Sequence, residues 1–359
     1  IERQIYQTAG MEFNINSPKQ LGHVLYEKNN FQAGSKTKTW QLSTDADTLQ
    51  KLADNGYELP KQVLEYRMCS KILSTYVQPL IDKAEHGKIH STFSHTQTLT
   101  GRLASSNPNL QNIPVRTEEG KTVRQAFTAS SADHVLMSFD YSQIELRLLA
   151  HYASESTLIE AFQNGEDIHK TTAKHLFGDT SDVSRRIAKT VNFGIVYGIS
   201  AHGLSENLGI SRSEAQRIIT DYFARYPGIR GYIDTQILSA QVQGYVTTIT
   251  DRPIYIADIN ASKASLRQFA ERQAANAPLQ GSNAELIKRA MVKIYFWLRQ
   301  EKLKTQMVLQ VHDELIFDVP RTEVDVVQEY VTRTMSNIYT LKVPIVVNCG
   351  IGDTWLAAH

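Results

Sequence analysis

Two aspartates follow apolar runs that are expected to form buried strands. Asp140 follows the run at 135–139, and Asp313 closely follows a second run at 307–311. Apolar runs of this length predict buried strands. A strand end holds a carboxylate rigidly, as a metal site requires. Because the two aspartates are far apart in the sequence, folding would have to bring them into one metal site.

Carboxylate oxygens held in this way favour a hard cation. Mg²⁺ takes oxygen ligands in octahedral geometry, usually one or two carboxylates together with substrate phosphates. Two such ions roughly 3.5–4 Å apart can activate an attacking hydroxyl and stabilise a leaving phosphate oxygen. Asp140 and Asp313 could bridge both ions. The alternative is that each aspartate only ends a strand or occupies a turn, which is common for Asp.

The segment RRIAKTVNFGIVYG at 185–198 combines cations and aromatic residues. Four residues that are each four apart form one stripe on a helix: Arg185, Lys189, Phe193 and Tyr197. Cations suit a triphosphate, and aromatic faces suit a sugar and a base. An ordinary amphipathic helix instead places aromatics in the core and cations in solvent. The stripe therefore favours a nucleotide as ligand.

Periodicity and turn signals predict the elements that position these residues. Helices are expected at 18–28, 46–56, 61–76 and 322–338, with a mostly helical region at 155–245. Strands are expected at 307–311, 314–319 and 343–348. Residues 124–152 predict two strands and a helix, and residues 33–39 predict a flexible basic loop.

Three S-x-x-E spacings predict helix starts at Ser142, Ser211 and Ser282. The helix from Ser211 should end at 226–228, where Tyr-Pro-Gly occurs. The helix from Ser282 should bury one face, formed by Ile287, Ala290, Met291, Ile294, Trp297 and Leu298. Because predicted sheet segments flank the helical region, the sheet domain should be discontinuous.

Length and composition limit the class of protein. The 359 residues, 42% hydrophobic and 21% charged, fit a soluble globular protein with a large core. No apolar run reaches the ~18 residues that span a bilayer, and the polar start without Met resembles a fragment rather than a signal peptide. Two cysteines give neither a disulfide framework nor zinc spacing. With a net charge of +1, a nucleic-acid enzyme would need locally concentrated positive charge.

Five motifs in one consistent order resemble the polymerase module of a family A DNA polymerase, the bacterial DNA polymerase I type. DYSQIELR at 140–147, the RRIAKTVNFGIVYG segment and QVHDE at 310–314 are similar to the family's motifs A, B and C. TGRL and PNLQNIP within 100–114, and Arg272 with NAPLQG at 276–281, match further family segments. The similarity runs from about residue 10 to the end of the chain.

The resemblance implies roles for the matching positions. Asp140, Asp313 and the backbone carbonyl of Tyr141 would bind metal, and Glu314 would assist catalysis beside them. Arg185 and Lys189 would hold the incoming triphosphate, and Lys189 could also donate a proton to pyrophosphate. The other nucleotide contacts would come from His169 at the phosphates, Phe193 on the sugar, Tyr197 near the templating base, Gln143 near the nascent pair, and Glu145 against a 2′-hydroxyl. Phenylalanine at 193 implies rejection of dideoxynucleotides.

Contacts with primer–template DNA would come from Arg102, Arg272, Asn276, Gln280 and His312. Structural alternatives remain open for several of these positions. Glu145 could serve only as the capping partner of Ser142, and His169 could be a helix-end histidine. His312 and Glu314 could be turn residues, and Arg102 and Arg272 could be surface cations. A short spacing between His169 and Arg185 implies a trimmed loop at 178–184.

The implied fold is α/β: a right-hand polymerase with an antiparallel-sheet palm, helical fingers and a helical thumb. The expected domains are an incomplete thumb at 1–85, the palm at 86–154 and 266–359, and the fingers at 155–265. The implied reaction adds dNMP from dNTP to a primer 3′-hydroxyl with two Mg²⁺, for which Mn²⁺ could substitute. A monomer that binds primer–template DNA and dNTPs, without membrane, is expected. It would lie in the bacterial cytoplasm at the nucleoid, or in an organelle or viral host compartment, and would not be secreted.

Two other functions would fit parts of this pattern. A single-subunit RNA polymerase must admit the 2′-hydroxyl, against which Glu145 and Phe193 argue. A non-catalytic DNA-binding relative would be expected to lose an aspartate or Lys189, and all are present. Nothing in the chain supplies a proofreading module, so no 3′–5′ exonuclease activity is expected from it.

Overall fold

The computed structural model describes residues 1–29, 31, 42–114 and 118–359. The basic loop predicted at 33–39 therefore lies outside the described residues. The chain forms two compact units: Ile1–His90 with Ile113–Val123, and Ser91–Asn112 with Arg124–His359. Among the described helices, none is both long and apolar enough to span a membrane.

The first unit is almost entirely helical. Its elements are α1 (Glu2–Ala9), α2 (Pro18–Gly22), a π-helical segment (His23–Lys28), α3 (Ala46–Asp54), α4 (Glu58–Ile72), a second π-helical segment (Leu73–Val77), α5 (Gln78–Asp82), and the hairpin of β1 (Ala84–Glu85) with β2 (Lys88–Ile89). Its buried core includes Ile5, Leu21, Leu25, Leu49 and Val63. The three helices predicted in this region are confirmed, although the third begins at Glu58 rather than at residue 61.

The second unit contains a four-stranded antiparallel sheet. Its strands, in the order β10 (Val347–Gly352), β5 (His134–Tyr141), β9 (Glu314–Pro320) and β8 (Gln306–Val311), are all paired antiparallel. Two small antiparallel pairs accompany it: β3 (Thr92–Ser94) with β4 (Ala104–Ser106), and β6 (Tyr245–Thr247) with β7 (Pro253–Tyr255). β5 and β9 are central in the sheet, so the elements that carry Asp140 and Glu314 are paired on both sides.

Helices make up most of the second unit. They are α7 (Ile144–Ala153), α8 (Ser156–Gln163), α9 (Ile168–Phe177), α10 (Asp182–Val196), α11 (Ala201–Leu208), α12 (Arg212–Arg225), α13 (Pro227–Gln243), α14 (Ala264–Gln300), α15 (Val324–Ser336) and α16 (Trp355–Ala358); α6 (Glu118–Gln125) crosses the boundary between the units. The insertion of α8–α13 between β5 and β8 confirms the helical region and shows that two separate stretches of the chain form the sheet.

The core of the second unit is formed by residues of the sheet and of the surrounding helices, including α14. Phe139 on β5 and Phe317 on β9 are fully buried, and their rings meet edge to face with centroids 5.5 Å apart. Of the six residues predicted on the buried face of α14, Ile287, Ala290, Ile294 and Leu298 are buried, and Met291 and Trp297 pack partly buried against this core. Burial of each large apolar side chain contributes roughly 1.5–3 kcal/mol, so this packing holds the strands that carry the acidic residues.

Two predicted helix starts are wrong. α7 begins at Ile144 after Gln143, which has a φ of 51°, and it has no side-chain cap, so the Ser142 capping box does not form. Ser282 lies inside α14, where its hydroxyl donates to the carbonyl of Pro278 at 2.5 Å. The Ser211 start is confirmed, because its hydroxyl accepts from the Glu214 N–H and α12 follows.

Two strand predictions are also wrong. The last strand begins at Val347 rather than at residue 343. Pro344 lies in the mispredicted part and has no N–H to donate to a ladder, and its carbonyl instead accepts from Arg147 at 2.7 Å. The first of the two strands predicted in 124–152 is reduced to an isolated bridge between Thr128 and Thr354, whereas β5 itself is confirmed.

Candidate active site

The sheet brings the two aspartates together. Asp140, near the end of β5, pairs across the ladder with Glu314, the first residue of β9. Asp313 lies in the tight turn before β9, and its carbonyl accepts from the Tyr141 N–H at 3.2 Å. His312, in the same turn, has a left-handed φ of 50°, which lets the chain reverse between β8 and β9.

The acidic residues form a concentrated negative charge. Burial, followed by the charges of Asp313 and Glu314, raises the pKa of Asp140 to about 7. A carboxylate in this environment gains from a neighbouring cation, which would restore the charged form. Among the described residues no group of three or more His, Cys, Asp or Glu side chains could hold a metal alone. The carboxylate oxygens of Asp140 and Asp313 are the donor type that suits a hard cation, which is usually shared between one or two carboxylates and substrate phosphates.

Glu314 is tied to surrounding side chains. Its Oε1 atom accepts from Ser138 Oγ at 2.6 Å and from Trp355 Nε1 at 3.3 Å, and lies 3.4 Å from His359 Nδ1. Burial raises the pKa of Glu314, but the hydrogen bonds from His359 and Ser138 outweigh it and lower the pKa overall. Glu314 is therefore ionised and links β9 to the segment around α16. Its predicted assistance near the metal stays a prediction.

Glu145 lies in α7 directly after the Asp140 turn and is only 5% exposed. Arg102 Nη2 donates to its Oε1 at 2.6 Å, and the Tyr197 hydroxyl donates to its Oε2 at 2.5 Å. Burial raises the pKa of Glu145 even though both of these contacts favour the charged form. The carboxylate is thus held from two sides by residues of distant segments.

The cationic part of the predicted stripe lies at the N-terminal half of α10. Arg185 Nε donates to Asp167 at 2.7 Å, and Asp167 also caps α9 by accepting from the His169 and Lys170 N–H groups. Burial raises the pKa of Asp167, but the Arg185 hydrogen bond and these N–H groups outweigh it and lower the pKa overall. The Lys189 side chain is exposed. Two cations on this face therefore remain close to solvent.

His169 is the second residue of α9, and its side chain, which is 2% exposed, contacts α10. Its Nδ1 atom is 3.0 Å from the amide nitrogen of Asn192, and its ring lies 5.6 Å from the Phe193 ring. Burial lowers the pKa of His169 to about 4, and the charges of Lys189 and Arg185 act in the same direction. The imidazole is therefore neutral near pH 7. Its contact with phosphate stays a prediction that requires the ring to become accessible.

A cavity of ≈ 360 Å³ lies at the C-terminal end of α10. It is lined by Tyr197 together with three of the predicted DNA-binding residues, namely Arg272, Asn276 and Gln280. Gly198 has a φ of +69°, and a Cβ there would lie 2.6 Å from Arg272 Cγ. Glycine is thus required both for the backbone and for the approach of Arg272.

The remaining predicted residues lie in the same unit. Arg102 and His312 line a second, small pocket together with Gln310, whose amide donates to the His312 carbonyl at 2.7 Å. Gln143 precedes α7, and its Oε1 atom is buried without a partner in the described part of the chain. The DNA-contact and nascent-pair roles of these residues stay predictions.

Sequence reasoning missed a residue that touches the site directly. Asn283 on α14 donates from Nδ2 to Asp313 Oδ1 at 2.5 Å and is 1% exposed. A signal was available, because Asn283 lies four positions before Ile287 on the face predicted to be buried. A buried amide needs a polar partner, but the sequence did not indicate which one.

A second missed group supports the segment 100–103. Arg252 donates to Glu285 at 2.5 Å and to the Thr100 carbonyl at 2.7 Å. Lys288 donates to the Gly101 carbonyl at 3.0 Å. No local motif marks these residues, since the partners are far apart in sequence.

The site and fold agree with comparisons to known proteins. The model of DNA polymerase family A matches residues 1–357. The chain is 48% identical to DNA polymerase I of Geobacillus stearothermophilus and 49% identical to that of Caldicellulosiruptor bescii, covering 100% and 99% of this chain but 41% and 42% of the relatives. It therefore spans about four-tenths of the length of these curated relatives.

A solved structure supports the same relationship. It is the POL domain of Pol1 from M. smegmatis in complex with DNA primer-template and dNTP, with a TM-score of 0.93 and 39% identity. The match covers 99% of this chain and 64% of that chain. It confirms the α/β right-hand polymerase fold class expected from the sequence. The chain belongs to DNA polymerase family A.

Proposed function

We propose that this chain catalyses template-directed DNA synthesis, adding dNMP from a dNTP to a primer 3′-hydroxyl and releasing pyrophosphate. The observation that carries the proposal is the Tyr197–Glu145 hydrogen bond of 2.5 Å. It joins Tyr197, the last residue of the predicted stripe and the residue after α10, to α7, the helix that follows Asp140. This contact supports the proposal that the α10 segment and the acidic turn act in one site.

The proposed domains and residue roles are those predicted from the sequence. Residues 1–85 would form the thumb, 86–154 and 266–359 the palm, and 155–265 the fingers. Arg185 and Lys189 would bind the triphosphate with His169, while Phe193, Tyr197 and Gln143 would contact the sugar and the nascent base pair. Primer–template DNA would be contacted by Arg102, Arg272, Asn276, Gln280 and His312. The active form would be a monomer.

Divalent metal ions are used generally by family A DNA polymerases. We propose two Mg²⁺ ions, replaceable by Mn²⁺, held by Asp140, Asp313 and the Tyr141 carbonyl. When bound, they would neutralise phosphate charge and lower the pKa of the primer 3′-hydroxyl. The raised pKa of Asp140, about 7, supports this assignment, since burial and then the charges of Asp313 and Glu314 disfavour a charged carboxylate that has no cation beside it.

The protein's own contribution would be positioning and charge stabilisation. Lys189 is exposed and has no carboxylate at ion-pair distance within the described residues, so its ammonium is available to a phosphate oxygen and to the leaving pyrophosphate. Arg185 uses only Nε in its bond with Asp167, which leaves its terminal nitrogens for phosphate. Glu314, although ionised, would act mainly by fixing the strands beneath the site.

A single-subunit RNA polymerase is not favoured as the alternative. Glu145 is buried and held by two hydrogen bonds, so its carboxylate cannot easily move aside for a 2′-hydroxyl. The relatives at 45–49% identity are named DNA polymerase I.

Substitution of a proposed metal ligand tests the function. Asp140→Asn keeps the shape of the side chain but removes its charge, so primer extension in Mg²⁺ should fall by more than about 100-fold, beyond the 10–100-fold typical of groups that only support a metal ligand. DNA affinity, measured by fluorescence anisotropy, should be nearly unchanged. Asp234→Asn, on the exposed side of α13, is the control and should extend normally. Failure of the unmodified chain to extend with dNTPs, or rapid extension with rNTPs, would overturn the proposal.

A further inference from the structure

We propose that Asn283 is a positioning residue for Asp313, an inference that rests on the proposed function of Asp313 as a metal ligand. The Asn283 amide would hold one carboxylate oxygen, Oδ1, and leave Oδ2 oriented for a divalent cation. The amide nitrogen lies 2.5 Å from Oδ1. Only the NH₂ group of an asparagine can donate to a carboxylate, so the chemistry fixes the orientation of the amide.

The two partners differ in burial. Asp313 lies in a two-residue turn and is partly exposed, so packing restricts its side chain less than that of a fully buried residue. Asn283 is 1% exposed in the middle of α14, a helix of 37 residues. A hydrogen bond from the buried helix to the turn therefore restricts the carboxylate. Outer partners of metal ligands orient the ligands in this way.

Packing alone does not account for an asparagine at this position. Its Oδ1 atom is buried and has no hydrogen-bond partner among the described residues, which is unfavourable for a polar group. Leu279, Leu286 and Ile287, which lie three or four positions away on α14 and so share its face, are apolar and buried. An apolar side chain at 283 would avoid the unpaired oxygen. What asparagine adds is the donor to Asp313, and as a neutral group it does so without cancelling the charge that attracts a cation.

Two variants separate positioning from packing. Asn283→Ala removes the amide and leaves a small cavity, whereas Asn283→Leu removes the amide but keeps the branched side chain with the same number of heavy atoms, in a larger volume. The two variants thus disturb the packing in opposite directions while both lose the donor. Ser282→Ala is the matched control. Ser282 is equally buried on the same helix, but its hydrogen bonds go to Pro278, Tyr152 and Ile249, none of which is a predicted site residue.

The experiment measures metal binding directly as well as activity. Mn²⁺ binding to each protein with primer–template is followed by the loss of the free-ion electron paramagnetic resonance signal. The half-saturating Mg²⁺ concentration is measured in single-nucleotide extension, and thermal unfolding reports folding. Both Asn283 variants should weaken Mn²⁺ binding and raise the Mg²⁺ requirement by about 10-fold or more. Ser282→Ala should change only the unfolding temperature.

The outcomes distinguish the inference from the function on which it rests. Unchanged Mn²⁺ and Mg²⁺ dependence in both Asn283 variants, or an equal shift in Ser282→Ala, would overturn the positioning role. If the unmodified chain does not extend primers, the proposed function fails. The Mn²⁺ binding comparison would still decide whether Asn283 supports a cation site at Asp313.

Discussion

At the scale of single residues, Glu145 is held on both of its carboxylate oxygens. Its two carboxylate oxygens accept from different donors, Arg102 and Tyr197, at 2.6 and 2.5 Å. Hydrogen bonds that involve a charged group are about twice as strong as neutral ones. A carboxylate held on both oxygens cannot move aside. It can therefore exclude a nucleotide that carries a 2′-hydroxyl by steric clash.

Removal of the Glu145 side chain should weaken the discrimination between deoxyribonucleotides and ribonucleotides. In Glu145→Ala we expect the ratio of dNTP to rNTP incorporation efficiency to fall by about tenfold or more, equivalent to ~1.4 kcal/mol of discrimination. Single-nucleotide kinetics with dNTP and rNTP measure it. Tyr197→Phe is a graded control, since it removes one of the two hydrogen bonds but keeps the carboxylate, and a smaller loss is expected. If Glu145→Ala left the ratio unchanged, the residue would have a structural role only.

The sequence supplied the identity of Glu145 but not its partners. A local signal, the S-x-x-E spacing, favoured a capping box with Ser142. Arg102 and Tyr197 are 43 and 52 positions away. Because a buried carboxylate gains more from a cation and a hydroxyl than from one backbone N–H, the long-range contacts replace the cap. Such contacts depend on tertiary structure and produce no periodic pattern in the sequence from which they could be predicted.

At the scale of elements, the segment 100–103 depends on two cations that lie far along the chain. Arg252 binds Glu285 and the Thr100 carbonyl, and Lys288 binds the Gly101 carbonyl. Gly101 has a φ of +81°, and a Cβ there would lie 3.0 Å from the Arg252 guanidinium. The loop that carries Arg102 is therefore anchored to α14 and to the turn after β6.

The anchor should contribute measurably to stability. Arg252→Ala leaves the largely buried Glu285 carboxylate without its cation, and we expect a loss of about 1.5–3 kcal/mol in the free energy of unfolding. Urea denaturation measures it. The double variant Arg252→Ala with Glu285→Ala should recover part of the loss, because neither charge is then left unpaired. Purely additive losses would show that the pair is not coupled.

Element prediction succeeded where periodicity was strong and failed where packing overrode a local signal. The buried face of α14 was evident from its apolar spacing, but the helix extends well before Ser282. Pro278 inside it would ordinarily end a helix. Burial of both Pro278 and Ser282 against neighbouring elements keeps the helix continuous. The sequence of the segment itself does not reveal that tertiary packing stabilises the helix at these two positions.

At the scale of the whole molecule, opposed titrations shape the dependence of stability on pH. Asp140 has a pKa raised to about 7, so the folded form binds more protons and this residue favours folding increasingly as pH falls. His169 has a pKa lowered to about 4, so the unfolded form binds more protons and this residue opposes folding as pH falls. Their effects partly cancel between pH 4 and pH 7. The dependence of the total unfolding free energy on pH therefore does not show the contribution of either group separately.

A difference profile should reveal the contribution of His169. From the ordinary value of 6.5 to about 4, its shift corresponds to roughly 3 kcal/mol that is present above pH 6.5 and lost as pH falls to about 4. In His169→Asn, which keeps a polar group facing Asn192 but does not titrate, this loss should disappear. The measurement is the free energy of unfolding by urea from pH 7 to pH 4, variant minus unmodified chain, in which the other titrating groups cancel. A flat difference for His169→Asn would mean that the imidazole is solvated, and thus already accessible to a phosphate without movement of α9 or α10.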